Sequence, residues 1–274
     1  MVGGIGFAAL SLPPVKGSDR VTLEVVPNAL VLRILARGQI DFVADLFWVR
    51  MGNMAGRATT VNESAALIPI ANLIADLAPN FKYPYFVGGI MAPVRRGRSD
   101  VYDNVPEAVA LMARGLKAVP TYGRLYLSKA YTELVMQHDP GAAGRTLAVM
   151  ASQPDAPPYI GPLVTRLLAQ GRNFNGAREF AGTLAKSEDP QVKADAEARL
   201  KQIDLEELLV QVDAASEKFM ALEGRAPTGV EELVQKRLLP QTPVDPLGGE
   251  IELSAEGARS TANHDRLRVF NSLE

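Results

Sequence analysis

From Asn28 onward apolar side chains recur at three- and four-residue spacing, interrupted at Gly or Pro, and this period predicts a chain made mainly of α-helices. Leu30, Ile34 and Leu35 line one face of a first helix, which Gly38 ends. Residues 39–51 predict a second, in which Phe42, Val43, Leu46, Phe47 and Val49 wrap widely enough to expect burial on more than one side. Residues 63–77 are almost wholly apolar, with Leu67, Ile70, Ile74 and Leu77 on one stripe and Pro79 as the stop. A partner helix runs from Tyr83 to Met91, and a loop over residues 93–104 follows. Toward the C-terminus, residues 193–200 and 205–222 predict two helices, the second with Leu205, Leu208, Leu209, Val212, Phe219 and Leu222 on one face and Gly224 as terminator. Thr228 and Glu231 have the spacing of a capping box before a short helix that carries Leu233, Val234 and Leu238. Ile251 and Leu253 alternate as a strand does, and Leu267, Val269 and Phe270 offer it a partner.

Pairs of helices joined by short turns call for a search for repeats. Ala108, Met112, Gly115 and Pro120 stand at offsets 0, 4, 7 and 12. Ala143, Leu147 and Met150 repeat the first three, with Pro154 one residue short of the fourth; Leu67, Ala71, Ile74 and Pro79 are a looser copy, and Ala177, Ala181 and Leu184 another. Tyr126 and Ala130 suit the large and small positions of a preceding helix. Small residues at such positions let two helices approach closely. This spacing resembles degenerate tetratricopeptide repeats over residues 28–203. The segment Ala44-Asp45-Leu46-Phe47-Trp48-Val49-Arg50, followed by the turn Leu77-Ala78-Pro79-Asn80-Phe81, is similar to membrane-anchored bacterial tetratricopeptide proteins. That resemblance implies an extracytoplasmic scaffold held at the inner membrane and carries no catalytic residues with it.

Charge divides the chain. Residues 185–274 hold 11 basic and 18 acidic side chains, a net −7, whereas residues 1–184 hold 18 and 13, a net +5. Within the acidic part, Gly224, Arg225 and Pro227, then Glu232, Leu233 and Val234, Leu239 and Pro240, and finally Asp245, Pro246, Gly248 and Gly249 form a succession. It resembles the C-terminal region of type II secretion pseudopilins, over about 219–253. No prepilin cleavage motif precedes the long helix, and the calcium carboxylates of some pseudopilins have no counterpart beyond Asp245 and Asp265. The resemblance therefore implies a packing motif rather than a polymerising pilin. The expected fold is mainly α: a tetratricopeptide-repeat (TPR)-like helical-hairpin solenoid over 28–203, after an apolar segment and linker over 1–27, with a small α+β cap over 204–274.

Composition removes several classes of function. The 274 residues are 47% apolar and 22% charged, which suits a globular protein with a sizeable core. A net charge of −2 argues against a general nucleic-acid binder. The absence of cysteine removes thiolate nucleophiles, thiolate metal sites and disulfides, and two histidines, His138 and His264, leave little for a triad or a metal centre. Gly3-Gly4-Ile5-Gly6 lacks the Lys and Ser or Thr of a phosphate loop. Val2 to Leu12 is apolar or small throughout yet too short for a hydrocarbon core that needs about 20 residues, so it reads either as the end of a longer anchor or as a short strand or tail packed on the body.

Other residues have bland readings beside functional ones. Glu206 and Glu207 project about 100° apart on a helix and are expected at a solvated edge. His138, before Asp139 and Pro140, is placed to complement helix-terminal carbonyls. Trp48, Tyr85, Tyr122, Tyr126 and Tyr131 are candidates to line a partner groove, with the core as the alternative. Arg95, Arg96 and Arg98 are candidates for an anionic partner or lipid headgroups, with a solvated loop as the alternative. The expected function is a non-enzymatic scaffold or adaptor for a protein or peptide partner in a bacterial envelope machine for pilus, secretion or motility, either periplasmic or associated with the inner membrane through its N-terminus, with the cytoplasm as the alternative setting. The alternative is a subunit locked into a permanent complex. No catalytic residue, cofactor, metal ion, nucleic acid or small-molecule substrate is expected.

Overall fold

The computed structural model describes residues 26–267. The apolar segment from Val2 to Leu12, the glycine run within it, and Val269 and Phe270 lie outside the described residues. Helices α1 (Ala29–Leu35), α2 (Ile40–Ala55), α3 (Val61–Ala65), α4 (Leu67–Leu77) and α5 (Lys82–Met91) open the chain. A two-residue ladder, β1 (Val94–Arg95) with β2 (Tyr102–Asp103), closes the stretch read as a loop. Then come α6 (Val105–Ala118), α7 (Gly123–Tyr131) with a π-helical turn over Thr132–Met136, α8 (Pro140–Ala151), α9 (Ile160–Gln170) and α10 (Phe174–Leu184). Helix α11 (Pro190–Glu223), the short α12 (Val230–Gln235) and the hairpin β3 (Ile251–Ser254) and β4 (Gly257–Ser260) complete it. The molecule is thus mainly α-helical, with a small antiparallel hairpin near the C-terminus.

Local chemistry sets most of these boundaries. Asn28, Asp139, Asn173 and Asp189 each turn a side-chain oxygen onto amides of the helix they precede, satisfying donors that have no intrahelical partner. Pro140 and Pro190 occupy first helical positions, where the missing N–H costs nothing. Gly224 ends α11 at φ 71, in the left-handed region that favours glycine. Residues 193–222 form part of one continuous helix and not two, because Lys201-Gln202-Ile203-Asp204 contains neither Gly nor Pro to interrupt it.

Each helix from α4 to α10 packs on its successor in the chain, and small residues set the approach. A Cβ on Gly115 of α6 would lie 2.6 Å from Tyr85 Cγ, and one on Gly144 of α8 would lie 2.9 Å from Leu168 Cγ. Ala71, Ala108, Ala143, Ala177 and Ala181 are all fully buried. One core gathers Met51, Leu67, Ile74, Tyr85, Met112 and Leu125, and a second gathers Leu147, Val164, Leu168 and Phe174. Ile203 belongs to that second core, while Leu205, two residues on, begins a third with Leu209, Val212, Phe219 and Leu233. Helix α11 therefore joins the two bodies of packing as one rod.

Several sequence expectations are corrected here. Phe42, Leu46 and Val49 are exposed: α2 turns Ala44 and Met51 inward, and none of the described residues buries the opposite side. Leu222, read as part of the buried face of α11, is exposed in its last turn. The strand partner of β3 is β4, reached through a turn ending at Gly257 (φ 114); Leu267 is buried but belongs to no strand. Thr228 pairs with Glu232 instead of Glu231, its amide donating over 2.9 Å and its hydroxyl over 3.1 Å.

Glu232 also accepts from Arg225. The guanidinium and the Thr228 amide hold its carboxyl down at about 2, against an ordinary 4.5. A folded pKa below the unfolded one stabilises the fold above the unfolded value, and the gain is lost as pH falls through the folded one. Thermal melts between pH 4.5 and 2 are therefore expected to show a steeper loss of stability in the parent than in Glu232→Gln; parallel curves would remove the ion pair from the account.

Candidate functional site

The five aromatic groove candidates do not form one surface. Tyr85 and Tyr126 are core residues: Tyr85 is wholly inaccessible, its hydroxyl donates to Pro79 O over 3.0 Å, and burial pushes its phenol pKa up. Tyr131 is exposed at the end of α7, apart from any recorded ring contact among the described residues. Trp48 and Tyr122, both half-buried, join an aromatic group whose other members, Phe81, Tyr83 and Phe86, the sequence reading did not single out as site residues. Trp48 meets Phe81 edge-on at 5.5 Å and stacks on Tyr83 at 6.2 Å, while Phe86 meets Tyr122 at 6.2 Å. Lys82 Nζ joins the two halves, 5.5 Å from the Tyr83 ring and 5.0 Å from Tyr122. The signal for these partners was present in the run Phe81-Lys82-Tyr83-Pro84-Tyr85-Phe86, but its alternation between core and surface is decided by the turn at Pro79.

Beside this group, α2 and the α4–α5 turn enclose an open cleft of about 380 Å³, lined by Asp41, Ala44, Asp45 and the stretch Leu77–Phe81. Asp41 and Asp45 are one helical turn apart on the exposed side of α2, a like-charge spacing that costs helix stability. Among the described residues neither carboxylate has an ion-pair partner. Arg33 spends its guanidinium on the end of α4, donating to the carbonyls of Asp76 and Leu77. The cleft is consequently acidic at its rim and aromatic at one side. Next to it runs the uncovered apolar surface: Leu30, Ile34 and Leu35 of α1 and Phe42, Leu46 and Val49 of α2 are each between 55% and 71% exposed.

The arginine loop differs from its sequence reading. Arg95 donates to Asp100 over 2.7 Å and to Ser99 O, and Arg96 pairs with Asp103, whose carboxyl it holds below the ordinary range. Both guanidiniums brace the β1–β2 hairpin, and only Arg98 stands without a recorded partner among the described residues. His138 is exposed at positive φ after the π-helical turn, with Nε2 3.3 Å from Asp100 O. His264 is exposed.

Glu206 is not at a solvated edge. It is 3% exposed and holds Arg266, while Glu207 pairs with Arg178 of α10. Asp245 is buried, accepting from Leu247 N over 2.7 Å and from the Ser260 hydroxyl, so its carboxylate organises the Asp-Pro-Leu-Gly-Gly turn. Asp265 is exposed. Among the described residues no group of three His, Asp or Glu side chains is placed to hold a metal ion, and no helix is long and apolar enough to cross a membrane. In comparisons with protein-family models, curated proteins and solved structures, the chain matches none.

Proposed function

We propose that this protein is a non-enzymatic interaction scaffold, with helices α2 to α10 arranged as a TPR-like solenoid of hairpins and the acidic C-terminal unit as its cap. The observation that carries the reading is the uncovered apolar surface of α1 and α2 beside the acidic cleft. Six large apolar side chains exposed on two consecutive helices are more than scattered surface residues and point to a place of association. Stacked helical hairpins need a polar-backed element at each end. The C-terminal unit supplies one, whereas α1 and α2 present aliphatic side chains where such an element belongs. The occupant that fits is an amphipathic segment of a partner protein: its apolar side chains cover Phe42, Leu46 and Val49, and its Lys or Arg side chains meet Asp41 and Asp45. The aliphatic extent of α1 also favours the second reading, a subunit held permanently in a complex. The setting in a bacterial envelope machine, and inner-membrane association through the N-terminus, rest on the sequence resemblance alone.

The test is crosslinking in the native host with a C-terminally tagged chromosomal copy, followed by mass spectrometry. One partner is expected in near-stoichiometric yield, lost in both Phe42→Ser/Leu46→Ser and Asp41→Lys/Asp45→Lys, and retained in Arg98→Ala. These positions are exposed, so the fold survives the changes. A crosslinked set that is the same in parent and both double variants would overturn the proposal. Slow exchange of the captured partner would select the permanent complex over the adaptor.

A further inference from the structure

A second cleft, also of about 380 Å³, opens between α6, α7 and α8, away from the acidic one. Its floor is polar in a way that a mere packing defect is not. Glu133, 4% exposed in the π-helical turn, accepts from Lys129 Nζ and, over 2.6 Å, from the Thr146 hydroxyl. Lys129 Nζ also donates to Thr146 Oγ1 over 2.8 Å. Each member of this triad fixes the other two, so the floor is rigid. π-helical turns inside helices often accompany functional sites.

The donor count is not closed. An ammonium has three N–H groups, of which Glu133 and Thr146 take two, leaving one for the cleft that Lys129 lines. At the mouth stand Lys117 of α6 and Arg145 of α8, both exposed and neither with an acidic partner among the described residues. Three cations thus face one carboxylate that is already satisfied. Leu116 and Val149 add apolar wall.

We infer that this cleft binds a carboxylate-bearing peptide, with the incoming carboxylate held between Lys117, Arg145 and the free N–H of Lys129 and a neighbouring apolar side chain against Val149. Glu133, already bonded to Lys129 and Thr146, leaves the charges of Lys117 and Arg145 at the mouth for an incoming carboxylate to balance. The carboxylate comes either from an Asp or Glu side chain or from the C-terminus of the peptide, and the same chemistry receives both. This inference shares with the proposed function only the premise that the ligand is a peptide. The two sites occupy different elements and are tested separately.

The experiment is fluorescence anisotropy on the purified full chain with the labelled probe peptide Leu-Ala-Glu-Leu-Glu, compared with its C-terminally amidated form, its Gln-for-Glu form and the form carrying both changes. Binding of the parent peptide is expected, with at least tenfold loss for the doubly neutral form; which single change reproduces the loss identifies the source of the carboxylate. Lys117→Glu/Arg145→Glu is expected to weaken binding at least tenfold, and Lys117→Gln/Arg145→Gln by less, with unchanged circular dichroism since both side chains are exposed. Absence of binding, equal binding of the doubly neutral peptide, or insensitivity to charge reversal would each overturn the inference. None of these results bears on the α1–α2 surface, whose variants leave this cleft intact.

Discussion

Replacing Arg266 by Ala is expected to destabilise the C-terminal unit by about 3–5 kcal/mol, the usual cost of removing one partner from a buried ion pair. The side chain is 14% exposed and sits between two carboxylates. Its Nε lies 3.0 and 2.9 Å from the two oxygens of Glu206, and its Nη1 lies 3.0 Å from Asp213 Oδ2 and 3.0 Å from Ala258 O. Glu206 also accepts from Leu267 N, and Asp213 from Ala258 N, so the same group ties α11 to β4 and to the chain that follows it. Burial works against the guanidinium charge, but Glu206 and Asp213 outweigh it and raise the Arg266 pKa. Without the arginine, two acidic groups remain close together with little water, which is the source of the cost. Arg266→Lys should recover little, since one ammonium cannot span both carboxylates as the planar fork does. Urea titrations followed by circular dichroism decide it. A loss under about 1 kcal/mol would mean that water reaches the group and the pair is an ordinary surface contact.

Tyr85→Ala is the second large effect, at about 3–5 kcal/mol, the range for deleting a fully buried aromatic ring. The ring sits against Gly115, where no larger residue would fit, and shares a core with Leu111, Met112 and Leu125. Tyr85→Phe keeps that packing and removes only the hydroxyl donated to Pro79 O, so about 1 kcal/mol is expected. The comparison separates a core residue from a groove residue. A partner-binding tyrosine would lose partner affinity on truncation with little change in stability, whereas Tyr85 should show the reverse. Thermal and urea unfolding of the two variants measures this. A Tyr85→Ala protein as stable as the parent would return the ring to the list of contact candidates.

Much of the helical framework was legible because it depends on neighbours in sequence. The stripe Leu67, Ile70, Ile74 and Leu77, the proline at 79 and the stop at Gly224 all act within one or two turns of chain. The buried Ala108, Met112 and Gly115 were legible for a related reason, since a close helix crossing demands small residues wherever it occurs. The candidate sites were less legible. The two clefts join residues more than 30 positions apart in one case and up to 36 apart, across three helices, in the other, and no local period encodes such a meeting. Neither Lys129 nor Glu133 carries a sequence signal that it will be buried, because the same i, i+4 pair on an exposed face is an ordinary surface ion pair.

What the sequence by itself determined was the helical class, the stops at Pro79 and Gly224 and several of the small residues at which helices meet, because hydrogen bonding, capping and periodicity are local. What only the tertiary structure decided was which side of each apolar element is covered. Phe42 and Met51 belong to the same helix with the same hydrophobic character, yet one is exposed and the other has no accessible surface, since α4 and α5 pack on a single side. Glu206 shows the converse: a charge that belongs at the surface by composition is buried because Arg266, 60 residues away, arrives to neutralise it. Burial is a property of the assembled partners, and the chain names those partners only once it is folded.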